Sequence, residues 1–176
     1  RELTTFCATG TNGKTTSVET YAYICSRLSK QCGYLSTIGK SIDGKEVDEP
    51  YQLTTPDTIS LNQSLSEMLL NGATHAAFEA SSHGLDQGRL SGISIDYAVL
   101  TSFSQDHLDY HKTIEQYGNA KRILFKELQP KYSFIQIDSE FGLNLYKDLL
   151  ENKAEVFSVS LDKESDFSAS FNKTDN

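Results

Sequence analysis

Apolar positions along the chain switch between two periods. Short apolar runs at residues 3–8, 32–38, 74–80, 97–103, 133–137 and 155–160 read as strands, and helical spacing recurs between them. Val18, Tyr21, Ala22, Cys25 and Leu28 sit three and four residues apart, which predicts one helix with one buried face. Thr55-Pro56-Asp57 supplies a cap and a proline at the first helical position for a helix through Ile59, Leu65, Met68 and Leu69. Further helices are predicted over 114–128 and 140–150, and residues 40–47 read as a hairpin turning at Asp43-Gly44. Beyond Leu161 the sequence turns polar, but Phe167, Ala169 and Phe171 alternate there as one more strand would. Alternating strands and helices predict an α/β fold of three layers, a mostly parallel sheet with helices on both faces.

Composition narrows the class. At 176 residues the chain is long enough for one ordinary domain, and 38% hydrophobic residues fit a globular protein. Lys plus Arg is 16 against 24 for Asp plus Glu, a net charge of -8, which argues against a nucleic-acid binder. No apolar run has the length of a membrane span, so no membrane partner is expected. Cys7, Cys25 and Cys32 form no metal-spaced pair and no disulfide framework, the pattern of a reducing cytoplasm. The chain opens at Arg1 rather than Met, as an excised piece of a longer protein would.

The run Thr9-Gly10-Thr11-Asn12-Gly13-Lys14-Thr15-Thr16 falls between a predicted strand and a predicted helix, the setting of a phosphate loop. Glycines let backbone N–H groups converge on phosphate oxygens, and the helix N-terminus adds its dipole. Lys14 would then reach the terminal phosphates and the Thr15 hydroxyl would take one site on Mg²⁺. The strict Walker pattern has a glycine where this chain has Ala8, so the loop is a variant. The plainer alternative is a solvated turn with a surface lysine.

Three further places carry chemistry. Glu79 closes an apolar strand, where a carboxylate can hold Mg²⁺ opposite Thr15, or simply face solvent. Ser81-Ser82-His83-Gly84-Leu85-Asp86-Gln87-Gly88-Arg89 follows at once, with donors suited to an anionic substrate and an Arg89 fork suited to carboxylate or phosphate. Asp106, His107, Asp109 and His111 follow another strand end; a local helix would put His107 and His111 on one face as for zinc, although the glutamate of His-Glu-x-x-His is missing. In the next helix Lys121 interrupts the stripe Ile114, Tyr117, Leu124 and Leu128. A desolvated lysine favours its neutral amine, which can take up CO₂ as a carbamate; the alternative is that Lys121 snorkels outward or pairs with an acid.

Taken together, the motifs resemble the Mur ligases, the ATP-dependent amide-forming enzymes of peptidoglycan precursor synthesis, and within them the MurE branch that adds the third stem-peptide residue. The matching pieces are Thr9-Gly-Thr-Asn-Gly-Lys-Thr-Thr16, Thr54-Thr-Pro56, Glu79-Ala-Ser-Ser-His-Gly84 with Gln87 and Arg89, Asp106-His-Leu-Asp-Tyr-His111, and Tyr117-Gly-Asn-Ala-Lys121 with Leu124-Phe125. Their order and separations fit over nearly the whole chain. The resemblance implies that Gly10 to Thr16 bind ATP, with Lys14 on phosphate and Thr15 and Glu79 on one Mg²⁺. It implies that His107 and a carbamylated Lys121 serve a second Mg²⁺, and that Thr54, Thr55, Ser81, Gln87 and Arg89 hold UDP-N-acetylmuramoyl-L-alanyl-D-glutamate. The D-glutamate carboxylate would attack the γ-phosphoryl group, and the amine of L-lysine or meso-diaminopimelate would displace phosphate from the acyl phosphate. Departures are Leu53 and Ser102 where the family has Asn, and Lys112 where it commonly has Gly.

The same resemblance makes residues 1–176 a part of the central ATP-binding domain, without the N-terminal uridine-binding and the C-terminal domains, and expects this piece to be inactive alone. A monomer in the cytoplasm is the implied state. The rival readings are a folylpolyglutamate synthetase-like ligase, which shares the loop and the ligase chemistry, and a nucleotide-binding module without catalysis.

Overall fold

β1 (Thr4–Thr9) runs through a short loop into α1 (Lys14–Arg27), then β2 (Cys32–Ser36) and the antiparallel strands β3 (Gly39–Ile42) and β4 (Lys45–Val47). α2 (Thr58–Leu70), β5 (His75–Glu79), the short α3 (Ser82–Asp86) and β6 (Tyr97–Leu100) follow. The chain continues with the single turn α4 (Leu108–His111), α5 (Ile114–Lys126), β7 (Tyr132–Gln136), α6 (Glu140–Glu151), β8 (Val156–Ser160) and β9 (Phe167–Ser168). The computed structural model describes residues 2–42, 45–47 and 53–169; the expected turn at Asp43-Gly44 and the position of Phe171 lie outside them. The described strands form one sheet in the order β4-β3-β2-β5-β1-β6-β7-β8-β9, parallel from β2 to β9.

The two faces are covered unequally. One carries the main core, where Cys7, Phe78, Ala98, Leu100 and Ile135 of the strands meet Met68 of α2, Leu85 of α3, Leu124 of α5 and Leu145 of α6. On the other, the one helix among the described residues is α1, whose Val18, Ala22 and Cys25 pack on Ala8, Cys32 and Ala77. Handedness explains the split. Parallel crossovers are right-handed, so steps to the right along the sheet (β2 to β5, β5 to β6, β6 to β7, β7 to β8) place their helices on one face. The one step to the left, β1 to β2, places α1 on the other.

Local details depart from the sequence reading for physical reasons. α2 starts at Thr58, not at Pro56, because Asp57 is its cap, accepting from Ile59 N and Ser60 N at 3.0 and 3.1 Å. That frees Thr55 to bond the end of β5. The buried face of α2 is Leu61, Ser64 and Met68, and Ile59 is exposed. Leu28 lies just past the end of α1 and is exposed. β6 stops at Leu100 because Thr101 and Ser102 are engaged by the loop after β1. The three cysteines are free and buried. No helix among the described residues is long and apolar enough to cross a membrane.

Candidate active site

The carboxyl ends of β1, β5 and β6 converge where parallel α/β sheets hold ligands. Between β1 and α1, Gly10 has φ +153° and a Cβ there would meet Thr101 Oγ1 at 2.0 Å, so only glycine lets the loop lie against the end of β6. Gly13, at φ 86°, is the N-cap of α1 and supplies no side-chain cap. The first-turn N–H groups of α1 thus point out of the helix toward the loop, the arrangement that suits an anion.

The loop is clamped rather than loose. Thr101 Oγ1 lies 3.0 Å from the Thr9 carbonyl and 2.6 Å from the Asn12 carbonyl, Thr11 N donates to Ser102 O at 3.0 Å, and Asn12 N donates to Ser102 Oγ at 2.9 Å. Ser102, where the resembling family has Asn, therefore serves the loop directly. Thr11 Oγ1 donates to Ser104 O and accepts from Ser104 N, both at 3.0 Å, so the Tyr117 hydroxyl at 3.1 Å is left as a donor to it. Burial pushes the Tyr117 phenol up, which keeps that proton in place. Asn12 and Thr16 have exposed side chains at the loop's outer rim.

Two lysines turn inward. Lys14 Nζ donates to Gly10 O and Thr11 O, both at 3.0 Å, and Lys121 Nζ donates to the same Gly10 oxygen at 2.9 Å. Lys121 is 1% exposed and its ammonium lies 4.4 Å from the centre of the Tyr117 ring. The helical stripe thus buries it, and it neither snorkels nor pairs with an acid. Burial first, then the Lys14 charge, lower its pKa to about 7 against the pull of Asp106. Lys14 is also lowered by burial, with Glu79 and Asp106 opposing.

Glu79, 1% exposed, sits at the end of β5 beside the start of α1. Its Oε1 accepts from Thr15 Oγ1 at 2.8 Å, Thr37 N at 2.7 Å and Thr37 Oγ1 at 3.1 Å. Its Oε2 is buried without a hydrogen-bond partner. A buried carboxylate oxygen with nothing to accept from is costly unless a ligand or cation completes it.

A second group of polar side chains lies across the cavity. Thr55 Oγ1 donates to Glu79 O at 2.9 Å, accepts from Ser81 N at 2.8 Å and lies 3.0 Å from Ser81 Oγ, which in turn caps α3. Arg89 grips Gln87 Oε1 through Nε and Nη2 at 3.0 and 2.5 Å and Thr55 O through Nη1 at 2.6 Å. Gln87 passes the chain on to Tyr110 OH at 3.2 Å, which donates to Asp86 at 2.8 Å. Thr54 Oγ1 lies 3.4 Å from Thr37 Oγ1. One cavity of about 310 Å³ joins Gly10, Lys14 and Lys121 to Ser81, Arg89 and His107, with Leu53, Thr54, Ser82, His83 and Tyr117 also in its lining.

His107 is the left-handed N-cap of α4 at φ 51°, its Nε2 3.6 Å from Asp106 Oδ2. Lys112, at φ 65°, holds a backbone conformation that favours glycine, the residue common there in the resembling family. His83 stands 5.1 Å from His107 and 5.5 Å from His111, ring centre to ring centre. Burial, then neighbouring imidazoles, hold His83 and His111 below the ordinary histidine range. Among the described residues no group of three or more His, Cys, Asp or Glu is arranged to hold a metal by itself, which gives the zinc alternative weighed for His107 and His111 no support.

Of the residues singled out in the sequence, Gly10, Lys14, Thr54, Ser81, Arg89, His107 and Lys121 line this cavity, Thr55, Glu79 and Gln87 are hydrogen-bonded to its surroundings, and Asn12, Thr16 and Asp109 are exposed. Two others carry no sequence signal: Thr37, whose N–H and hydroxyl hold Glu79, and Thr101, which braces the loop. Ser82, named within the Ser81–Arg89 run, has a buried hydroxyl without a partner in the cavity lining.

Residues 8–176 match the Mur ligase middle domain. The chain is 39% identical over 173 residues to the UDP-N-acetylmuramoyl-L-alanyl-D-glutamate--L-lysine ligase of Staphylococcus aureus (strain COL), covering 96% of this chain and 34% of that protein. It is equally 39% identical, over 163 residues, to the UDP-N-acetylmuramoyl-L-alanyl-D-glutamate--2,6-diaminopimelate ligase of Clostridium perfringens (strain 13 / Type A), covering 92% of this chain and 33% of that protein. Among solved structures, a UDP-N-acetylmuramoyl-L-alanyl-D-glutamate--2,6-diaminopimelate ligase superposes with TM-score 0.83 at 35% identity, over 96% of this chain and 34% of that one. Escherichia coli FolC in complex with DHPP and ADP superposes with TM-score 0.62 at 20% identity, over 89% of this chain and 42% of that one, a likeness of fold.

Proposed function

Because the chain belongs to the Mur ligase family through that family's middle domain, we propose that it is the ATP-binding part of a ligase that adds the third stem-peptide residue to UDP-N-acetylmuramoyl-L-alanyl-D-glutamate in the cytoplasm. One observation carries this most directly. Gly10 and Lys14 of a clamped phosphate loop, the inward Lys121 and the donors Ser81 and Arg89 line one cavity, with the uncompleted Oε2 of Glu79 buried beside the loop, where Thr15 holds the other carboxylate oxygen.

ATP is a substrate in this reading. Gly10 to Thr16 wrap its phosphates, with the α1 N-terminus and Lys14 toward the terminal ones. Thr15 and Glu79 would hold one Mg²⁺, and the uncompleted Glu79 oxygen is the donor such an ion takes alongside phosphate oxygens and water. His107 and a carbamate on Lys121 would hold a second. The ions, when bound, offset the negative charge gathered by phosphates and carboxylate.

The rest falls to the chain's own side chains. Arg89 uses three of its five N–H groups on Gln87 and Thr55, which fixes the guanidinium plane and leaves two for an anionic substrate group. Thr54 and Ser81 line the same cavity. A substrate held there presents its D-glutamyl carboxylate to the γ-phosphorus; the new P–O bond forms as the bond to ADP breaks. The acceptor amine then attacks the acyl carbon, loses a proton, and phosphate leaves. Clamping of the loop by Thr101 and Ser102 keeps both reactants in line, the main service a phosphoryl-transfer site supplies.

Because the chain is 39% identical to an L-lysine ligase and to a 2,6-diaminopimelate ligase alike, either amino acid is a candidate acceptor in this reading. The test is ADP release by the full-length protein with ATP, Mg²⁺ and either amino acid. Release that needs the UDP-muramoyl dipeptide is expected; release that a dihydrofolate-type acceptor supports instead overturns the reading.

A further inference from the structure

Arg89 N donates to Gly84 O at 2.9 Å, so α3 sets where the arginine leaves the chain but not how its guanidinium is turned. Gln87 supplies the turn, because its Oε1 accepts from Arg89 Nε and Nη2 at 3.0 and 2.5 Å. Gln87 is itself exposed, and an exposed amide held at one end only keeps its rotational freedom. The other end is held by Tyr110, whose hydroxyl lies 3.2 Å from Gln87 Nε2 and 2.8 Å from Asp86 Oδ2.

Donor and acceptor chemistry leaves this chain of bonds one sense. A guanidinium only donates, so the amide must show it the oxygen and turn its NH₂ toward Tyr110. The Tyr110 oxygen then accepts from Gln87, and its own proton goes to the Asp86 carboxylate, which only accepts. Packing delivers the hydroxyl to that place: the Tyr110 ring lies 4.1 Å from the His83 ring and meets His111 edge-on at 4.7 Å, centre to centre. Tyr110 belongs to α4, whose N-cap is His107, and Gln87 is the C-cap of α3. The bond between them therefore ties the segment of His107 to the segment of Arg89.

We propose, on the reading of Arg89 as a grip on the UDP-muramoyl dipeptide, that Tyr110 is a positioning residue for that substrate. Its hydroxyl sets the sense of the Gln87 amide and, through it, the plane in which Arg89 offers its remaining N–H groups to an anionic group. Without the hydroxyl, Gln87 is free to show its NH₂ to the guanidinium, donor against donor. Two of the three contacts that fix Arg89 are then lost, and only the one to Thr55 O stays. Tyr110 bonds Asp86 and Gln87 and packs on His83 and His111, none of them in the loop from Gly10 to Thr16. The effect therefore falls on dipeptide binding and spares ATP.

Two measurements on the full-length protein test this, one of them without substrate. Phenylglyoxal labelling of Arg89, followed by mass spectrometry, should run about 3-fold or more faster in Tyr110→Phe than in the wild type, since the guanidinium is no longer held. An unchanged rate overturns the proposal. In steady-state kinetics, Tyr110→Phe should raise the KM for the UDP-muramoyl dipeptide by about 3- to 10-fold, the worth of one net hydrogen bond, with kcat and the KM for ATP within about twofold of the wild type. In the Arg89→Lys background the same change should add less than about twofold, because an ammonium has no plane for Gln87 to fix. An unchanged dipeptide KM, an equal rise for ATP, or a full further rise on Arg89→Lys overturns the role of Tyr110 and leaves the reading of the site standing. Wild-type ADP release that ignores the dipeptide overturns that reading, and the substrate role of Tyr110 with it.

Discussion

Lys14 and Lys121 meet on one atom, the Gly10 carbonyl oxygen, at 3.0 and 2.9 Å. Burial first, and then repulsion from the Lys14 ammonium that shares its acceptor, bring Lys121 to about 7. Its neutral nitrogen can attack the carbon of CO₂, forming the N–C bond and releasing a proton. We expect ¹³C-bicarbonate to give a carbamate signal in the full-length protein that Lys121→Ala removes. Activity should fall roughly 100-fold or more in that variant. Lys121→Arg should not restore it, because a guanidinium does not lose its proton. Undiminished turnover by Lys121→Ala would end the carbamate assignment.

Stability should carry the same signature. Lys121 is lowered from an ordinary 10.5 to about 7, so between those values the unfolded chain binds more protons than the folded one. Stability therefore rises with pH across that window and is poorest below it. Lys14, lowered as well, adds in the same direction. In the absence of bicarbonate, the urea midpoint of the full-length protein should climb from pH 7 toward 10, and Lys121→Met should flatten the climb. A slope that survives in Lys121→Met would show that Lys121 is not its source.

Glu79→Gln separates charge from shape. The amide keeps an oxygen for Thr15 Oγ1 and Thr37 N, but the position of the partnerless Oε2 loses its negative charge. The fold should persist by circular dichroism. The Mg²⁺ concentration for half-maximal activity should rise by about 10-fold or more, with turnover falling by roughly 100-fold. An unshifted Mg²⁺ curve would place the ion elsewhere.

These positions differ in how far sequence alone reveals them. The strand, loop and helix around Gly10 are legible because a period of two passes to a helical one across glycines, and Lys121 is legible because it breaks an apolar stripe. Asp57 as the cap of α2 is not, since Thr55 and Pro56 offer a cap and first residue of equal local quality. Thr37 reaches Glu79 only because β2 pairs with β5, a contact between residues 37 and 79 that no local pattern encodes. α3 and α4, of five and four residues, are too short to show a period. Which face of β7 and β8 is buried is not legible either, because the buried positions include Ser133, Ser158 and Ser160.

Arg89→Lys tests the substrate wall. The guanidinium bridges Gln87 Oε1 through two N–H groups and reaches Thr55 O through a third, so its plane is fixed before any ligand arrives. An ammonium keeps the charge but has neither the fork nor the plane. Thr55 itself is held by Glu79 O and Ser81 N, so the loss of one contact should leave the wall standing and the protein folded. The expected result is a KM for the UDP-muramoyl dipeptide raised by about 10-fold or more, the worth of a charge-assisted hydrogen bond. The KM for ATP should stay near its wild-type value, since Arg89 has no contact with the loop from Gly10 to Thr16. Equal rises in both constants would mean that Arg89 shapes the whole cavity; a rise for ATP alone would move the substrate to another wall.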